Sequence, residues 1–160
     1  MYKELETWLH KAENKYLNAQ ELKIFKSQIL EWKDRLETYK QLRDSELNIF
    51  QPVADQLQKA YPDEKETRLR EALKHWIAIM RYASFAMLTN DPEFLQYRLL
   101  EWLTPLIETQ ELKTVERKVY EILQKTLENN LTRRGMELIS PLLEQAKDTL
   151  LEKELVGENK

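Results

Sequence analysis

The residues best suited to chemistry gather between positions 68 and 82. Arg68, Arg70, Lys74 and Arg81 are interleaved with Trp76 and Tyr82. Guanidinium and ammonium groups bind carboxylates, and the aromatic rings stack on planar groups. Such a set offers a surface for an acidic ligand or an acidic protein partner. The plainer reading is the solvated face of an amphipathic helix. His75 lies in the middle of the cluster, and His10 is the only other histidine. A half-buried or surface histidine is the plainer reading there as well. Carboxylates are abundant but uncorrelated with histidine or serine. Two glycines leave no Gly-rich phosphate loop, and no His-Glu-x-x-His spacing occurs. The absence of cysteine excludes a thiol nucleophile, a cysteine-based zinc site and a disulfide framework. The expectation is a protein that is not an enzyme.

The elements that must position this cluster read as helices almost throughout. Leu, Glu, Lys and Gln dominate the 160 residues, Pro occurs five times, and no alternating strand pattern is found. A chain of this length fits one domain, here residues 1–160, and buries roughly 70% of its unfolded surface. The fold class expected is all-α. Twenty-five basic and 28 acidic residues give a net charge of −3 with the signs interspersed, which disfavours nucleic acid and acidic membranes. No run of 18 apolar residues would span a membrane. The first residues lack the apolar core of a signal peptide, so the expected location is the cytoplasm.

The spacing predicts a first helix over about 2–17, with Leu5, Trp8, Leu9, Ala12, Tyr16 and Leu17 near one face. A second, 19–44, carries Leu22, Phe25, Ile29, Trp32, Leu36 and Tyr39, laced by Glu31 and Arg35. Ser45 is placed to cap a third, whose buried stripe is Leu47, Phe50, Val53, Ala54 and Leu57. Pro52 predicts a kink there, or a start near Gln51. Asp63 and Glu66 have capping-box spacing ahead of the central helix. That helix turns Leu69, Ala72, Leu73, Trp76, Met80, Ala83 and Met87 to one side and Arg70, Lys74 and Arg81 to the other. It stops at Thr89-Asn90, where Asp91 caps a new helix and Pro92 takes its first position. Phe94, Leu95, Leu99, Trp102, Leu103, Leu106 and Ile107 follow, broken by Pro105. Thr114 is placed to cap the helix carrying Val119, Ile122, Leu123 and Leu127. A last helix runs over 136–156, with a possible restart at Ser140-Pro141 and a frayed tail at 157–160. Six or seven helices result, and Trp8, Trp32, Trp76 and Trp102 fall on apolar stripes as core or interface residues.

Arg81-Tyr82, Ser84, Ala86, Asp91, Leu95, Arg98, Leu100 and Leu103 together resemble the central segment of phycobiliproteins, nearer their β than their α subunits. The resemblance covers about Tyr16 to Leu150. It implies a globin-like core over 19–156 preceded by a helical arm over 1–18. In that family such an arm serves the contact between two subunits, while an extra helix folded on its own domain is the competing reading. The implied protein is a homodimer, with Trp8, Leu9 and Ala12 of the arm and Arg81, Tyr82, Asp91 and Arg98 of the helix face in contact.

The resemblance also implies a bilin site, and this chain departs from it. Ala72 stands where the family has its central bilin cysteine, and Lys74 and His75 stand where it has arginine and aspartate. In Leu131-Thr132-Arg133-Arg134-Gly135-Met136 the second cysteine position falls on Met136. The connection at 61–66 is also shorter than the family's. No covalent bilin is expected. The alternative reading is a noncovalent tetrapyrrole carrier or a sensor globin, whose bilin or haem is implied to meet Arg68, Ala72, Lys74, His75 and Trp76; haem ligation by His75 lacks a second histidine on the following helix. Bulky Trp76, Met80 or Met136 filling that volume would leave only an interaction role. The chain is similar to the cysteine-less bilin biosynthesis-associated globins, which implies regulation or support of bilin production or of phycobilisome assembly and turnover. Its partner would then be a bilin-biosynthetic or phycobilisome protein.

Overall fold

A computed structural model describes residues 3–152. Among the described residues eight α-helices run in the order α1 (Lys3–Asn14), α2 (Ala19–Asp44), α3 (Glu46–Ala60), α4 (Glu66–Thr89), α5 (Pro92–Leu95), α6 (Glu101–Thr109), α7 (Lys113–Asn130) and α8 (Arg133–Lys147). A π-helical turn at Gln96–Leu100 joins α5 to α6, and a second at Asp148–Glu152 extends α8. There is no strand among the described residues. Periodicity predicts six or seven helices, and the described segments correspond to seven, with the one after α4 divided by its π turn. The last helix begins before residue 136, where the spacing predicts its start. Thr132 starts it earlier, its side chain accepting the Gly135 N–H at 3.0 Å. Residues 153–156 of that expectation, and the tail, lie outside the described residues.

The helix start expected near Gln51, the break at Pro105 and the restart at Ser140-Pro141 do not occur. Pro52, Pro105 and Pro141 lie inside α3, α6 and α8. All three are exposed, so the carbonyl each leaves without a partner is on the solvated side of its helix. The caps expected at Ser45, Asp63 and Thr114 also differ. Ser45 alone separates α2 from α3 and makes no side-chain cap bond. Lys65 precedes α4 and Leu112 precedes α7, again without a side-chain cap. The corner after α4 is as expected. Asn90 adopts the left-handed conformation (φ 52°, ψ 45°), which ends the helix. The Asp91 carboxylate then accepts the Phe94 N–H at 3.2 Å.

A common core collects Ile49, Val53 and Leu57 of α3, Trp76, Ile79, Ala83 and Met87 of α4, Val119, Leu123 and Leu127 of α7, and Ile139 and Leu143 of α8. The central helix is held on several sides. α4 packs against α2, α3, α7 and α8, and α3 lies along α7. Away from this core, α1 and α2 form a hairpin. Trp8 of α1 is buried edge-on against Phe25, with ring centroids 5.8 Å apart, and its indole donates to Gln28 at 2.6 Å. The Asn18–Glu21 capping box starts α2, with reciprocal bonds of 2.9 Å. Arg35 ties the hairpin to the core by donating to the Met87 carbonyl at 2.6 Å.

On α3 the stripe expected to be buried needs one correction, since Leu47 is exposed, and several apolar residues of the α2 and α6 patterns are exposed as well. Leu22, Ile29, Leu36, Leu47, Trp102 and Leu106 are exposed. Periodicity marks an apolar stripe but not its neighbours, and among the described residues nothing covers these side chains fully.

Candidate functional site

On α4, the stretch from Arg68 to Trp76 divides its side chains between water and the core. Ala72 and Trp76 are completely buried, and His75 is buried beside them. His75 is therefore neither half-buried nor on the surface, as its sequence context suggested. Arg68 turns toward the α6–α7 connection, where it donates to the carbonyls of Gln110 at 3.0 Å and Glu111 at 3.1 Å. It also pairs with Glu64. Arg70 pairs with Glu66 and Lys74 with Glu71, on the solvated face. Arg68, Ala72, Lys74, His75 and Trp76 thus do not converge on one surface.

What the fold brings to His75 is a carboxylate from another helix. Nδ1 of His75 lies 2.5 Å from Oε1 of Glu116 on α7, with His75 6% and Glu116 0% exposed. Glu116 follows Val115 and is in phase with Leu112, Val119 and Leu123 on the apolar face of its helix. That phase is the sequence signal that marks it, because a charge on an inward stripe needs a buried partner. Burial pushes the Glu116 carboxyl above its ordinary value, and the His75 and Trp76 N–H groups pull part of that shift back. The Trp76 indole nitrogen and Oε2 of Glu116 are both buried without a partner in hydrogen-bond geometry, so Trp76 acts on this carboxyl by proximity. Its ring packs tilted against Tyr120, with centroids 5.3 Å apart, and Lys147 lies over the outer face of Tyr120 at 5.6 Å.

The residues present do not fit a bilin. Cysteine is absent, and the position matched to its attachment has no exposed surface. His75 is engaged inward, and the Trp76 ring and Met80 occupy the core side of α4. Met136 is partly buried against the same core. A groove of about 220 Å³ lies alongside, lined by Leu57, Tyr61, Leu69, Arg70 and Leu73. It is smaller than the ~300–1,000 Å³ usual for small-molecule sites, and an open groove of about 420 Å³ elsewhere on α4, lined by Tyr39, Leu42, Glu46, Met80, Arg81 and Ser84, includes none of Arg68, Ala72, Lys74, His75 and Trp76. No group of three or more His, Asp or Glu residues able to hold a metal exists among the described residues.

The residues expected at an interface lie in two regions. On the arm, Trp8 is spent on α2, whereas Leu9 and Ala12 are exposed. On the helix face, Arg81 makes a two-pronged contact to Glu46 at 2.5 and 2.9 Å. Tyr82 stacks on Phe94 at 5.5 Å, Asp91 caps α5, and Arg98 is exposed on the π turn.

Fold and site together define an all-α protein whose central-helix positions are packed with its own side chains. Residues 10–150 match the family model for phycobilisome proteins, and the chain belongs to that family. Its fold is the globin-like one that the resemblance implies. No curated protein matches the chain. No described helix is long and apolar enough to cross a membrane.

Proposed function

We propose that this phycobilisome-family protein acts through protein contacts and carries no chromophore. In this reading it is a non-enzymatic cytoplasmic factor in bilin biosynthesis or in phycobilisome assembly and turnover. It works as a homodimer, with a single globin-like domain and an N-terminal arm. The observation that carries the reading is the solvation of the α1–α2 hairpin. Of the 26 residues of α2 only Thr38 and Leu42 are buried, although the helix presents Leu22, Ile24, Ile29, Leu30 and Leu36. A long helix is not stabilised by propensity alone, and aliphatic side chains at this density on a solvated helix mark a contact surface. The packing at Ala72, His75 and Trp76 supports the second half of the reading, because a tetrapyrrole there would have to displace core side chains.

The test is a titration of the purified protein with biliverdin, phycobilin and haemin, followed by absorbance and tryptophan quenching, and paired with the oligomeric state by light scattering. A dimer that binds none of them is expected. Saturable one-to-one binding weakened by both Lys74→Ala and His75→Ala would replace this reading with that of a tetrapyrrole carrier.

A further inference from the structure

The helix α6 is held at its two ends and by apolar contact between them. It is nine residues long and contains Pro105, which has no N–H to give to the carbonyl one turn back. A helix this short is not stable by itself. Its own hydroxyls stay local, Thr104 donating to the Leu100 carbonyl and Thr109 to that of Pro105. Glu108 pairs with Lys113 across the next turn. Inward, Leu103 and Ile107 join the core, and the turn at Asp148–Glu152 packs against the helix. Outward, Trp102 and Leu106 are exposed.

Both ends of α6 are irregular, and each carries a polar latch from a distant part of the chain. Before it, the π turn at Gln96–Leu100 breaks the α-helical repeat. Gln145 of α8 donates to the Pro92 carbonyl at 3.1 Å, and Thr149 donates to Oε1 of Gln96 at 3.3 Å. After it, Glu111 has φ 52°, the left-handed region that a residue with a Cβ enters at a cost. Arg68 of α4 holds this turn through the carbonyls of Gln110 and Glu111, at 3.0 and 3.1 Å. Beside that latch, Oε1 of Gln110 is buried without a partner, and opening the turn would return it to water. Strained backbone persists only where its surroundings hold it.

We infer that α6 is a lid, opening as a unit about the π turn and Glu111 while the other helices stay folded. Opening releases Arg68 at one end and Gln145 and Thr149 at the other. It uncovers Leu103 and Ile107 next to the exposed Trp102 and Leu106. The closed protein therefore withholds the inner apolar side chains of α6 from other molecules, and the two latches set how often they are presented. This device stands independently of the homodimer reading.

Hydrogen exchange of the full chain, read by mass spectrometry helix by helix, tests it, with circular dichroism confirming that each variant is folded. In wild type, amides of 101–112 should exchange at least about a hundredfold faster than those of α7, because a local opening is reached before global unfolding. Arg68→Ala should speed exchange over 101–112 at least about tenfold further, and Gln145→Ala with Thr149→Val at least about fivefold. Val53→Ala, in the core between α3 and α7, should speed α7 and leave 101–112 unchanged. Exchange over 101–112 that equals that of α7 in wild type, or follows it in Val53→Ala, overturns the lid, since α6 would then open only with the whole chain. Failure of either latch variant to speed 101–112 overturns it as well.

Discussion

Removing Glu116 should be among the most damaging single changes in the core, and removing it together with His75 should not. The pair is buried on both sides, and its carboxylate also acts on the Trp76 N–H. Glu116→Leu keeps the volume but leaves the buried His75 ring nitrogen without its partner, beside a Trp76 indole N–H that already has none in hydrogen-bond geometry. Breaking one side of a buried ionic pair costs about 3–5 kcal/mol. For a chain of this size each kcal/mol moves the melting temperature by about 2–4 °C, so a fall of roughly 6–20 °C follows. His75→Phe with Glu116→Leu removes donor and acceptor together and should recover most of the loss. Thermal melts of wild type, both single variants and the double variant, read as a double-mutant cycle, give the coupling directly. A Glu116→Leu protein melting within about 2 °C of wild type would refute the argument, because the bond would then have no net role in the folded state.

The same carboxyl gives the fold a pH dependence. Its folded pKa is raised, so its contribution is fully present below the ordinary glutamate range and declines as pH rises through the elevated folded value. Chemical denaturation from pH 5 to 8 should show wild type losing stability relative to Glu116→Gln as pH rises; the opposite slope would contradict the sign. At the α4–α5 corner, Asn90→Val should cost about 1–2 kcal/mol in a thermal melt and Asn90→Gly almost nothing, because Asn90 has φ 52°. Asn18→Ala breaks the α2 capping box and should cost about 1 kcal/mol, read in the same assay. Trp102 is 76% exposed and Trp76 is fully buried. Acrylamide should therefore quench a fraction of the fluorescence that Trp102→Phe removes.

The helices were legible because their signals are local. The Asn90-Asp91-Pro92 corner follows from a left-handed stop, a carboxylate cap and a proline at the first helical position, all within three residues. Pro52, Pro105 and Pro141 misled because their effect depends on whether the freed carbonyl meets water, and exposure is not written in the neighbouring residues. The same limit applied to the site. Arg68, Lys74 and His75 are consecutive in one cluster, yet α4 sends them to the α6–α7 turn, to solvent and to Glu116 respectively.

The amino-acid sequence by itself determined the helical class, the order of the elements and the impossibility of a thioether-linked bilin, because periodicity, turn chemistry and the absence of cysteine are properties of residues and their near neighbours. Only the tertiary structure decided which apolar stripes find a partner. Leu69 and Trp76 on α4 are covered by the rest of the chain, while Leu22, Ile29 and Leu36 on α2 face water. It also decided that His75 meets a carboxylate 41 residues away. Burial and long-range pairing depend on which helices lie side by side, and that arrangement is fixed by the packing of the whole core and not by any one segment.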